Sequence, residues 1–422
     1  MLSIKKVVFI SILIITQLSL KAQNNTNSPY TRFGYGELAD RSFGAGRAMG
    51  GVGIGLRSSK QINPMNPASY SCMDSLTFLF DFGVAGQVSW FYDGVNDRKN
   101  LNGNVEYIAL QFPITRWLAV SAGILPYSHV GYKFGQAYTE VDAPYVESFV
   151  GSGSVSDAYV GVAVDVWKKR LSVGVNMGYL FGTLSHERNL MFSSSSTSAY
   201  SVSYYKQLQV HDFKMDLGVQ YTHPLDRDAS LTIGATYSPG QQLSAKSYNV
   251  SVVGSDYQTD TIQGQVSEIP HAFGLGASYM KNNKLTLAAD VQYEKWKGCK
   301  YFDSEEEFKN RVKVAAGIEF IPNYMKKLYF NRIRYRAGVH YSNSYLNVNV
   351  KDGNSYQRHG YNEYGASIGF GFPLIDNRSL LNLSFEYVKV RPEIKSMIDE
   401  QYFRFALNYT FNELWFFKRK VD

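Results

Sequence analysis

SFGAGRAMGGVGIGLRSSKQINPMNPASYS, Ser42 to Ser71, divides the chain into two parts of different character. Six glycines, Gly44, Gly46, Gly50, Gly51, Gly53 and Gly55, lead into the paired turns Asn63-Pro64 and Asn66-Pro67. Such a run makes poor helix and poor strand. Everything after it reads as one amphipathic strand after another. A compact irregular segment placed ahead of a long strand series must be enclosed by something. The expectation is a plug in the lumen of a membrane β-barrel built by the rest of the chain. A phosphate-cradling loop is the competing reading. That chemistry needs a preceding buried strand and a following helix, and here neither is present and no Gly-Lys-Ser/Thr follows.

What precedes the stretch is an export signal and a polar leader. Lys5 and Lys6 form a basic start, Val7 to Leu20 an apolar run, and Ala22 the small residue before a cut at Gln23. Residues 1–22 are therefore expected to be a signal peptide, and 23–74 the leader and glycine-rich hatch. No later apolar run is long enough for a membrane helix. The 422 residues include 32 Tyr, 26 Phe and 36 Gly, with a mean hydropathy of −0.23. Aromatic and glycine-rich, yet of modest average hydropathy, the chain fits a wall whose apolar residues occupy alternate positions. The +7 net charge is scattered, without the basic patch that nucleic acid requires. Two cysteines, Cys72 and Cys299, are too few for a disulfide framework.

Fourteen strands are expected within residues 75–411. Phe213, Met215, Leu217, Val219 and Tyr221 share one face, against Lys214, Asp216, Gly218 and Gln220. Phe403, Phe405, Leu407, Tyr409 and Phe411 likewise oppose Arg404, Ala406, Asn408 and Thr410. Side chains alternate across a strand, so one face meets lipid and the other a wet or plugged lumen. A soluble sandwich also alternates, but it does not need so many strands of spanning length. Links after even strands read short, as at 113–115, 168–170 and 282–283. Links after odd strands read longer, as at 132–154, 185–203 and 348–359. Outer-membrane barrels sort their turns in this way, short on the periplasmic side. The orientation places the plug and the C-terminus in the periplasm. A tail, 412–422, carries Trp415, Phe416, Phe417 and Lys418. It reads as an interfacial anchor or as a docking segment for a partner.

With these residues in hand, the chain resembles the long-chain fatty acid outer-membrane transporter family (FadL-like) over nearly its whole mature length. The motif that carries the resemblance is Gly44 to Gly55 followed by Asn66-Pro67-Ala68, which looks like the family's Asn-Pro-Ala hatch motif. Where that family often has an acidic patch, this chain has Arg57, Ser58, Ser59 and Lys60. The related PorV-type secretion barrels share the hatch motif and bind secreted protein instead of lipid. The resemblance implies an all-β fold, a 14-stranded antiparallel transmembrane β-barrel with an N-terminal hatch segment in the lumen. It also implies hydrophobic ligands that leave sideways through a gap at strand 3.

Strand 3 contains Gly123 and Pro126. Proline cannot donate to a ladder, and unpaired backbone in lipid is costly. Either the wall opens there, or Pro126 already lies at the outer rim. Arg332, Arg334 and Arg336 are expected to project into the lumen beside Glu319. They read as an ion-pair ladder holding the plug or as a trap for an anionic head group. The seven histidines are dispersed and no nucleophile elbow is present, so no enzyme, metal site or cofactor is expected. The expected function is uptake of small hydrophobic molecules across the bacterial outer membrane, with lateral exit near strand 3. The alternative is a non-transporting barrel subunit of a protein-secretion or assembly complex. Expected partners are outer-membrane lipids and hydrophobic small molecules, with a periplasmic or outer-membrane protein under the alternative. Nucleic acid is not expected.

Overall fold

Alternating residues give a sheet two unlike faces, and such a sheet hides its polar face by closing on itself. The computed structural model describes residues 26–414 apart from 140–143, 168, 193–199, 254–255, 263–265, 303–307, 324–327, 353–354 and 375–377. Its sheet closes. Fourteen antiparallel strands follow in chain order: β1 Thr77–Tyr92, β2 Asp97–Pro113, β3 Leu118–Tyr138, β4 Tyr145–Trp167, β5 Leu171–Phe192, β6 Val202–Pro224 and β7 Ala229–Ser238. The second half is β8 His271–Lys281, β9 Leu285–Lys295, β10 Arg311–Phe320, β11 Arg334–Asn343, β12 Tyr361–Pro373, β13 Leu380–Pro392 and β14 Asp399–Leu414. β1 and β14 pair from Thr77↔Leu414 to Tyr92↔Asp399 and complete the ring. Outward residues meet the surroundings as the alternation requires. Phe213 is 64% exposed and Val339 58%, while their neighbours Lys214 and His340 are buried.

Several boundaries differ from the sequence reading. The stretches read as loops at 132–154 and 185–203 are largely ladder, paired from Tyr132↔Gly151 to Tyr138↔Tyr145 and from Ser185↔Gln207 to Leu190↔Val202. Their side chains no longer separate lipid from lumen, so the period-two signal fades although the backbone stays paired. β7 stops at Ser238 before Pro239-Gly240, and the chain resumes as a hairpin, Ala245–Val253 with Asp256–Ile262, beside β6. β11 begins only at Arg334, after a 3-10 turn at Tyr329–Asn331. β14 runs on to Leu414, past the expected end at Phe411.

The segment ahead of β1 lies inside the ring. It bonds to wall residues all round it, among them Glu106 on β2, Asp165 on β4, Asp216 on β6, Asp290 on β9, Lys313 on β10, Ser367 on β12 and Arg404 on β14. It reaches further than expected. Its glycine run and Asn-Pro turns sit toward the rim of short turns. Residues 28–39 climb to the opposite end, where Tyr30 Oη donates to Ile398 O in the β13–β14 link.

Candidate functional site

The glycine run is wrapped around a carboxylate of the wall. Asp290 on β9 accepts from Gly53 N at 2.6 Å, Ile54 N at 2.8 Å and Gly55 N at 3.4 Å. Successive backbone N–H groups form an anion-binding concavity. A side chain of the same protein occupies it, so the resemblance to a phosphate loop has a physical basis without a nucleotide.

The Asn-Pro turns staple this loop shut. Asn63 Nδ2 donates to Gly53 O at 2.6 Å and to Leu56 O at 3.1 Å. Asn66 Nδ2 donates to Ile54 O at 2.9 Å and to Val219 O on β6 at 3.2 Å, while its Oδ1 accepts from Ala68 N at 3.1 Å. Asn66 thereby caps the 3-10 turn Pro67–Cys72, with Pro67 at its first position. Gly44 and Gly46 belong to the five-residue helix Gly44–Ala48. Gly50 has φ +77°, and its N–H donates to Ser367 Oγ at 2.9 Å. A Cβ on Gly50 would meet Val339 O at 2.6 Å, so only glycine lets the chain press so closely on β11. The wall reciprocates. Gly174, Gly218, Gly276 and Gly338 face inward where Pro67, Asn66, Gly55 and Met49 lie against the strands.

Every charged residue from Glu37 to Arg57 pairs with the barrel. Glu37 meets Arg404 at 3.2 Å, Asp40 meets Lys313 at 3.1 Å, and Arg41 meets Asp216 at 2.8 Å. Arg47 pairs with Glu106, and Arg57 with Asp165 at 2.9 Å. Burial works against the Asp40 carboxylate, but Lys313 and the Ser42 N–H outweigh it and hold its pKa well below the usual range. These partners were missed at the sequence level. The available signal was five charges in a segment otherwise built of glycine and apolar residues.

The expected lumen cluster forms in part. Glu319 bonds Arg334 at 3.2 Å and Arg336 at 2.7 Å, and Arg336 also donates to Asn382 at 2.7 Å. Arg332 stands before β11, its guanidinium 5.4 Å from the Tyr329 ring. Cys72 and Cys299 lie at opposite ends of the barrel and both are free. Trp415, Phe416, Phe417 and Lys418 fall outside the described residues.

Gly123 and Pro126 stand where the wall forks. The β2–β3 ladder runs from Pro113↔Ala119 to Ile108↔Ile124 and stops. Beyond it β2 stays with β1, and β3 stays with β4 through a register shift between Pro126 and Ser128. The freed edge of β3 is taken from inside by the leader, with Leu38↔Ser128, Glu37↔His129 and Ala39 N donating to Tyr127 O at 3.0 Å. A cavity of about 250 Å³ borders both arms of the fork, at Asn102 and Glu106 on one and Leu125, Pro126 and His129 on the other. Its remaining lining includes Arg41, Lys313, Glu386 and Arg404. Beyond it lies an aromatic cluster. Tyr35 lies between Trp296 and Tyr301, with ring centroids 5.8 and 4.9 Å away, and Tyr345 Oη donates to Gly36 O at 2.6 Å.

The comparisons with known proteins agree with this architecture. A family model described as BamG matches residues 3–422. A search of the curated proteins finds no match. Among solved structures, the toluene transporter TodX of P. putida superposes with a TM-score of 0.57 at 15% identity, covering 90% of this chain and 100% of that one. The toluene transporter TbuX of Ralstonia pickettii gives 0.57 at 15%, covering 88% and 98%. A FadL homologue of Pseudomonas aeruginosa gives 0.58 at 13%, covering 89% and 99%. At such identities the likeness concerns the fold.

Proposed function

The chain belongs to the BamG family, and from that premise and its FadL-like outer-membrane barrel we propose that it takes up small hydrophobic molecules, with lateral exit at the β2–β3 fork. The fork carries this reading. A barrel wall in lipid normally keeps its ladder intact, because unpaired backbone there costs several kcal/mol. Here the ladder ends at Ile108↔Ile124, and a cavity reaches the split from inside. Pro126, which has no ladder donor, lies just beyond the last β2–β3 pair. Neighbours of the same fold described as toluene transporters and a monoaromatic hydrocarbon channel support the substrate class. Gly44 to Ala68 would act as the hatch that keeps the lumen from leaking.

A second reading rests on a different observation. The lumen is lined with ion pairs instead of an apolar track, and a buried aromatic cluster lies toward the end opposite the short turns. A barrel bolted shut in this way suits a non-transporting subunit of an outer-membrane secretion or assembly complex. One experiment separates the two. Leu38 and Ser128 are ladder partners, so Leu38→Cys with Ser128→Cys, in a chain whose own cysteines are Ser, ties the leader to the freed edge of β3 at the fork. Toluene entry into cells should fall on oxidation and return with reductant. Entry no faster than in cells lacking the protein would reject uptake and leave the second reading.

A further inference from the structure

Cations inside the barrel and cations on its rim are treated differently. Within the lumen Arg41, Arg47 and Arg57 all have carboxylate partners. The short-turn rim carries Arg116 between β2 and β3, Lys169 and Arg170 between β4 and β5, Arg227 between β6 and β7, and Lys281 and Lys284 around the β8–β9 turn. Five of these are exposed and Lys284 is half-buried, and none forms an ion pair among the described residues. The same four turns hold two described acidic residues, Asp226 and Asp228, both in one turn.

Large exposed apolar side chains flank these cations. Ile114 and Trp117 flank Arg116, Trp167 precedes Lys169 and Arg170, and Leu225 precedes Arg227. Trp117 is 53% exposed and Trp167 48%. The Arg170 guanidinium lies 5.9 Å from the Trp167 ring. Aromatic side chains settle at the depth of lipid headgroups, and basic side chains beside them reach to the phosphates. A negative leaflet attracts such residues additively.

We propose that this rim binds anionic phospholipid headgroups of the phosphatidylglycerol class in the leaflet facing the periplasm. The acyl chains pack on Trp117, Trp167 and Leu225, and the phosphates meet the cations just beyond. An acidic protein docked beneath the rim would use the cations, but it would have no need of exposed Trp and Leu side chains in three of the four turns beside them. The inference is independent of what passes through the lumen.

The test uses the full chain in nanodiscs of mixed phosphatidylethanolamine and phosphatidylglycerol, with native mass spectrometry of the lipids it retains. Phosphatidylglycerol should be enriched several-fold over the bulk ratio, and the enrichment should shrink in high salt. Changing Arg116, Lys169, Arg170, Arg227, Lys281 and Lys284 to Gln should return the ratio to bulk. Heat-modifiable mobility in SDS gels reports that the variant is folded. If it does not fold, K169Q with R170Q should lower the enrichment in part. Changing Lys99 and Arg188, far from this rim, should leave it unaltered. Retention in bulk proportion by the parent overturns the proposal, as does enrichment that survives the substitutions. Loss of an acidic protein partner by the variant, with no lipid enrichment in the parent, assigns the rim to protein docking and also overturns it.

Discussion

Asp290 shows what one residue contributes inside this lumen. Its carboxylate satisfies three consecutive N–H groups that face no water. Removing it leaves buried donors unpaired, which costs about 1–3 kcal/mol. Asp290→Ala should therefore lower the temperature at which the heat-modifiable band converts to the unfolded form. Asp290→Asn keeps an acceptor oxygen and should lower it less. A transition unchanged in both would mean that the glycine run is held elsewhere, through Asn63, Asn66 and the pairing of Arg57 with Asp165. The two thiols illustrate burial without chemistry. Burial above all, then the Glu268 carboxylate, pushes Cys299 up to about 11, and burial raises Cys72, so neither is a ready nucleophile.

At the scale of elements, the wall has its own strand-to-strand ladders, and the glycine-rich segment is bonded onto their inner face. The wall's ladders run strand to strand, and the hatch meets them through side chains, glycine faces and the short Leu38↔Ser128 pairing. Deleting Gly44 to Pro67 should thus leave a folded barrel, now open to ions. Single-channel recording in a planar bilayer would register the change. A deleted barrel as tight as the parent would show that the hatch does not seal the lumen and that the aromatic cluster does. β3 is the other instructive element. Its first residues pair with β2, its last only with β4, and its freed edge is bonded by the leader. One strand therefore serves the wall and the lumen in turn, and the change occurs at Pro126.

For the whole molecule, the barrel is uneven in height. β3 to β6 run 21–23 residues, whereas β7 to β11 run 10–11. About 9–11 residues span a membrane. The long strands therefore rise well beyond it on the side away from the short turns, together with the hairpin beside β6. That asymmetry sets the expected orientation, with the tall wall outside the cell. In a chain whose own cysteines are Ser, a membrane-impermeant maleimide should label Cys at Asn96, in the β1–β2 turn, on intact cells. It should reach Cys at Asn282, in the β8–β9 turn, only after the outer membrane is breached. The reverse pattern would invert the topology.

Strand number, facing and closure were legible in the sequence because each follows from local alternation, which lipid on one side and a lumen on the other impose residue by residue. Phe213 beside Lys214 and Phe403 beside Arg404 carry that signal within two positions. The glycine run announced a close-packed insert for the same reason, since few other residues tolerate such contact. Which groups meet across the lumen was not legible. Asp290 and Gly53, or Arg47 and Glu106, are far apart in the chain and are joined only once the ring has closed. Nor did alternation reveal the ladder continuing beyond the membrane, where both faces of a strand meet similar surroundings and the period loses its cause. The fork at Pro126 lay between the two. Proline marked the place, but whether the ladder ended there depended on the path of β2, and only the tertiary structure decided it.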